Sequence, residues 1–164
     1  MPINAKKVNL TPEQVVFLKK IVEFFRMYGW SIWAGFGIAA NMFAECAFNP
    51  RLYGDGGKAY GLCQWHPDRR AVFRQVFGIT MEDADVQKQL EFVLHELRKG
   101  QEKKAGRLLS GAKSAREAAA IFSRYYERPR LADAEAEARA ALAQRFHDLY
   151  TTELSPSPDS PLSA

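Results

Sequence analysis

The stretch that most limits how this chain can fold is "SIWAGFGIAANMFAEC", Ser31 to Cys46. Ser31 is placed to cap a helix, and the residues after it are apolar on almost every side. That pattern suits a helix surrounded by protein rather than one lying on a surface. Gly35 and Gly37 weaken such a helix locally and let neighbouring helices approach closely. Its strongly polar side chains after the cap are Asn41 and Glu45, four apart and so on one face. Apolar neighbours desolvate a carboxylate at such a helix end, and the negative end of the helix dipole disfavours further negative charge. Both effects favour the protonated acid. Glu45 is therefore either a core carboxylate paired to an arginine or an acid able to protonate a leaving group near neutrality.

Helical signals surround this segment. Thr11, Pro12 and Gln14 form a capping-box start, and Val15, Leu18, Val22 and Phe25 recur at helical spacing up to about Tyr28, with Gly29 as the stop. From Phe48 to Gln64 the period gives way to the turn strings "NP", "YGDGG" and "AYG", which predict a short hairpin of two or three strands. Further helices are expected over 68–77, 82–99 and 103–109. Ser114 and Glu117 open another, which Pro129 stops. A last amphipathic helix over about 134–152 is expected to bury Ala138, Leu142, Phe146 and Leu149. The fold class is mainly α: a helical bundle around a central buried helix, with a small β-hairpin. A chain of 164 residues supports one such domain. The expected division is an N-terminal extension over 1–10, the domain over 11–153, and a disordered Pro/Ser tail over 154–164.

A formal charge of +4 favours anionic partners: nucleic acid, a membrane surface or a cell-wall polymer. The basic residues are scattered, with short clusters at Lys6-Lys7, Arg69-Arg70 and Lys103-Lys104, and form no stripe of the kind a nucleic-acid reader carries. Nucleic acid is the least supported partner. The most apolar run, Trp30 to Ala40, is too short to span a bilayer, so no membrane span is expected. "MPINAKKVNLTPEQ" has no apolar segment after its lysines, so no cleaved secretory signal is expected either. Cys46 and Cys63 are too few for a disulfide framework or a structural zinc, and read as thiols near the site that an oxidising compartment could bridge. No His-Cys-carboxylate grouping has metal-ligand spacing, so neither metal nor cofactor is expected.

"AANMFAECAFNP", "GDGGKAYGLCQWHPDR", "QLEFVLHEL" and "YYERP" occur in this order, and together they closely resemble the phage tail lysozyme family of the lysozyme superfamily. The resemblance runs from about Gln14 to Tyr150. It implies an α+β lysozyme-like domain with the hairpin beside an active-site cleft. The implied activity is that of a muramidase, cleaving the β-1,4 bond between N-acetylmuramic acid and N-acetylglucosamine in peptidoglycan. Glu45 matches the superfamily's catalytic glutamate, and Cys46 stands where serine is common, a change expected to tune activity. The implied partners are glycan strands and a phage tail or secretion-system component. The implied place of action is the cell wall, in the periplasm or outside the cell, reached from the cytoplasm by phage delivery or another export route.

Glycoside hydrolysis usually needs two carboxylates, and Asp55 on the hairpin is the candidate for the second; the competing reading is an ordinary Asp-Gly turn residue. Were Asp55 to face away, a lytic transglycosylase giving anhydro-muramyl products would remain, and a non-catalytic glycan-binding module is a further alternative. Gln64 aligns with the glutamine of the superfamily's "GLxQ" motif, where it faces the cleft, and its amide suits an acetamido sugar. Tyr60 either faces a sugar ring or packs, and Trp65 reads as core. His66 follows at the cleft, and the "YYERP" motif places Tyr126 there. Glu127 is either a further cleft acid or a partner of Arg128 or Arg130. Arg69 either orders the hairpin or pairs with an acid, and Glu96 reads as the partner of a neighbouring arginine.

Overall fold

A computed structural model of the protein describes residues 2–154. The capping box at Thr11 forms as its residues dictate: Gln14 N donates to Thr11 Oγ1 at 3.1 Å, and Thr11 N donates to Gln14 Oε1 at 3.0 Å. It opens α1 (Pro12–Met27). Ser31 then caps α2 (Ile32–Cys46), which is enclosed from Ala34 to Phe43, as its all-round apolar character requires. A two-stranded antiparallel sheet follows, β1 (Tyr53–Gly54) against β2 (Ala59–Tyr60), with Tyr53 opposite Tyr60. Next come α3 (Pro67–Phe77), α4 (Val86–Arg98), α5 (Lys103–Ser110), α6 (Ala115–Phe122) and α7 (Ala132–Leu154). Helices α1, α6 and α7 pack around α2, so the fold is mainly α, with a central buried helix and a small hairpin to one side.

Three boundaries differ from expectation. The helix expected from Glu82 starts at Val86, because the Asp85 side chain accepts from Lys88 N at 2.9 Å and caps it there; residues Met81–Asp83 form a separate 3-10 turn. The helix expected to reach Pro129 ends at Phe122 and continues as a π turn, Ser123–Glu127. The wider turn carries Tyr126 inward, stacked on Phe122 with ring centres 4.1 Å apart. The segment before Thr11, read as an extension, packs on the domain: Arg145 Nε donates to Val8 O at 2.7 Å, and Val8 joins the core. The tail expected over 154–164 lies outside the described residues from 155 onward. Among the described residues no helix is long and apolar enough to cross a membrane.

Gly37 sets the closest approach of α2 and α6. A Cβ placed there would lie 2.6 Å from the backbone of Ala118 and Ala119, a contact that only backbone movement relieves. Gly37→Ala is therefore expected to lose about 1–3 kcal/mol of stability, although alanine is the better helix former. Urea denaturation of the two proteins measures this directly.

Candidate active site

Glu45 occupies the last turn of α2, and the chain breaks away sharply after it. Ala47 and Phe48 both take left-handed backbone angles, φ 51° and 63°. Gln14 Nε2 donates to Ala47 O at 3.3 Å and ties this bend to the start of α1. Among the described residues the other non-glycine residues with positive φ are Asp55, Gln64 and Arg128, and all three line one cavity together with Glu45. Each such conformation costs on the order of 1–3 kcal/mol and persists where the surroundings hold it, commonly around functional sites. Backbone strain in this protein is concentrated around that cavity.

The cavity has a volume of about 600 Å³, within the range of small-molecule and glycan clefts. Glu45 enters from α2 with its side chain 20% exposed, so it is neither sealed in the core nor free on the surface. Asp55, from the turn between β1 and β2, lines the same cavity, with its carboxylate 3.7 Å from His66 Nε2 at the start of α3. Of the residues singled out from the sequence, Glu45, Asp55, Gln64, His66 and Glu127 line this one cavity.

Two expected cleft residues are elsewhere. Tyr60 is buried, with its ring 4.6 Å from that of Tyr53 and the Arg70 guanidinium 5.5 Å above it, so it packs the hairpin. Tyr126 is fully buried: its hydroxyl donates to Glu96 Oε1 at 2.6 Å and accepts from Trp65 Nε1 at 3.1 Å. Burial, and then the Glu96 charge, push the Tyr126 hydroxyl up from its ordinary pKa, so it stays a donor. Trp65 is core as expected, and Glu96 is the expected arginine partner, taking Arg69 Nε and Nη2 at 2.9 Å each. Gln64 lines the cleft, but its amide nitrogen is already committed to Leu52 O and Gly61 O, at 3.0 and 2.9 Å. It holds the hairpin shape, and only its carbonyl is left for a sugar.

The residue that sequence reasoning missed is Arg139. It reaches from α7 with 4% of its surface exposed, pairs its Nη2 with Glu45 Oε1 at 2.9 Å, and donates to Asn41 Oδ1 from Nη1 at 2.9 Å and to Glu135 Oε2 from Nε at 3.3 Å. The shared face of Asn41 and Glu45 is thus a face that meets one guanidinium. Of the two readings of Glu45, the arginine pairing is present, since α7 brings the Arg139 cation beside it, yet the carboxylate lines the cleft and is not enclosed in the core. A signal for this lay in the sequence: Arg139 interrupts the helical row Ala136, Ala140, Ala143, a small-residue face in which a cation needs an acid partner.

Of the two readings of Glu127, cleft acid or partner of Arg128 or Arg130, it is the pairing with Arg128 that the structure contradicts. Arg128 turns away to Glu102, with Nη2 donating to Oε1 at 2.9 Å, so it does not neutralise Glu127. The Glu127 Oε1 atom is buried without a hydrogen-bond partner. Burial first, and then the charge of Glu45, hold its carboxyl well above the ordinary glutamate range, opposed by Arg69 and Arg139. Such a group stabilises the fold at low pH, and that contribution is lost as pH rises toward its raised folded-state pKa. Glu127→Gln mimics the neutral acid. It is expected to match the wild type below about pH 4 and then to gain up to about 1.4 kcal/mol per pH unit relative to it across that window. Denaturation midpoints at several pH values test this.

Cys46 and Cys63 are both buried and free. Cys46 Sγ donates to Met42 O at 3.3 Å, and burial pushes its thiol up to about 12. Cys63 lines the cleft near Glu127. Among the described residues no three His, Cys, Asp or Glu side chains converge as a metal-binding set.

A central buried helix delivering a glutamate into a polar cleft beside a hairpin is the arrangement of a lysozyme-like protein. The family description "Phage tail lysozyme" matches residues 17–150, and the chain belongs to that family. It is a lysozyme-like peptidoglycan hydrolase, acting on the cell wall. A comparison with curated proteins finds no match.

Proposed function

We propose that the protein is a muramidase that hydrolyses the β-1,4 bond between N-acetylmuramic acid and N-acetylglucosamine, with Glu45 as the general acid and Asp55 as the second carboxylate. The observation that carries this reading is that both carboxylates, on separate elements, open into the same cleft. In the cleavage step the bond from the anomeric carbon to the glycosidic oxygen breaks and Glu45 gives that oxygen its proton. Arg139 pairs with the carboxylate left behind, so the charge created by the transfer is met by a cation already in place. Water adds to the anomeric carbon, helped by Asp55, and His66 steadies Asp55 when protonated. Glu127 lines the cleft as a carboxyl that burial holds above the ordinary glutamate range, a further polar group facing the glycan. Asp55 lining the cleft favours hydrolysis over a transglycosylase working with Glu45 alone.

Glycan strands of peptidoglycan are the proposed ligand, with a phage tail or an analogous secretion assembly as the proposed carrier. The direct test is incubation of purified protein with insoluble peptidoglycan. Release of soluble fragments supports the enzyme, whereas co-sedimentation without release identifies a binding module and overturns the proposal.

A further inference from the structure

A second concavity, of about 410 Å³, shares no lining residue with the catalytic cleft. It lies where the start of α2 meets the end of α4 and the outer face of α5. Its polar lining comes from Trp30, Ser31, Arg98, Lys103, Arg107 and Ser110, and no carboxylate contributes. Among the described residues none of its three cations has an acidic partner within 4.0 Å. Arg98 donates to Tyr28 O, and its guanidinium carbon stands 5.9 Å from the centre of the Trp30 ring. The Trp30 indole N–H is buried without an acceptor. Three unneutralised cations and an orphaned donor around one depression form a site lined by donors, and their mutual repulsion is relieved by an oxyanion.

We propose that this concavity is a second binding site, for a phosphate-type oxyanion carried as the phosphodiester of an anionic cell-wall polymer. The choice of polymer rests on the cell-wall reading of the family, since the wall is the surface against which this protein works. The cations converge on one depression and form no extended stripe, which favours a single phosphate group of a flexible polymer over a duplex nucleic-acid backbone. Holding the protein on the wall at a point away from the cleft raises the effective concentration of glycan at the catalytic site.

The full chain and a Lys103→Glu/Arg107→Glu variant are sedimented with intact Gram-positive walls and with the same walls freed of phosphodiester polymers by hydrofluoric acid. The wild type is expected to bind intact walls at least about tenfold more tightly than stripped walls, with an affinity that falls steeply with salt. The variant is expected to bind both at the stripped-wall level while degrading stripped walls within about twofold of the wild-type rate. Lys103→Gln/Arg107→Gln repeats the measurement without charge reversal and is expected to lose most of the preference. Equal binding to the two walls, unchanged binding by both variants, or competition by duplex DNA but not by poly(glycerol phosphate) would overturn the proposal. Competition by inorganic phosphate as effective as by the polymer, per phosphate, would likewise overturn the polymer as the ligand. Failure to degrade stripped walls is a separate result, counting against the enzyme assignment and not against this site.

Discussion

Glu45→Gln is expected to lower the rate of wall degradation by about 10²–10⁴-fold, the range associated with a positioned general acid. Glutamine keeps the shape of the side chain and an oxygen facing Arg139, but it has no acidic proton to give. The fold is expected to stay intact by circular dichroism, because α2 is held by its apolar faces and by Asn41, whose Nδ2 donates to Gly37 O and Ala119 O at 2.8 and 3.0 Å. The variant separates two roles that the geometry superimposes. A carboxylate kept only to neutralise Arg139 would cost stability on removal and leave the rate per folded molecule unchanged. Wild-type turnover by a folded Glu45→Gln protein would transfer the acid role to Glu127, a further carboxyl lining the cleft.

Glu96→Ala is expected to be the most damaging single change to stability. The Glu96 carboxylate is 4% exposed and accepts four hydrogen bonds: two from Arg69, one from Trp65 Nε1 at 2.9 Å and one from Tyr126 OH at 2.6 Å. Removing it leaves the largely buried Arg69 guanidinium without its carboxylate and the buried Tyr126 hydroxyl without an acceptor, and leaves the Trp65 indole N–H only its longer bond to Tyr126, a loss of about 3–5 kcal/mol. For a domain of this size that lowers the melting temperature by on the order of 10 °C. Because Arg69 also lines the cleft, activity should fall in parallel. Glu96→Gln keeps one oxygen for Trp65 and Tyr126 and is expected to lose less. A melting temperature unchanged in Glu96→Ala would show that this network is not what fixes α3 and α4 to the π turn.

Local signals were well legible in the sequence, and contacts between distant segments were not. The caps at Thr11, Ser31 and Ser114 are set by residues within one turn of each other, and the helices begin where those residues stand. Asp85 carries the same kind of signal, but the apolar stripe alone suggests a longer helix. The π turn after Phe122 has no local signature: it exists because Tyr126 meets Trp65, just before α3, and Glu96 on α4. At the site, Glu45 stood out as a carboxylate in an apolar run, and Asp55, Gln64, His66 and Glu127 followed from motifs on its flanks. The motifs point Tyr60 and Tyr126 to the cleft, yet both are buried, since an aromatic ring in a motif can serve a cleft equally well from behind, as packing. Arg139 comes from the far end of the chain, and only the packing of α7 on α2 brings it to Glu45. Its effect on the site is correspondingly large, since it turns a lone desolvated acid into one with a counter-charge.

The central claim is that Glu45 passes a proton to a glycosidic oxygen in an open cleft, and the products carry the record of that transfer. Mass spectrometry of soluble fragments from digested peptidoglycan reads it. The account predicts fragments ending in reducing N-acetylmuramic acid, formed by the wild type and nearly absent with Glu45→Gln. Fragments ending in reducing N-acetylglucosamine, or the same fragments formed at an undiminished rate by Glu45→Gln, would contradict it.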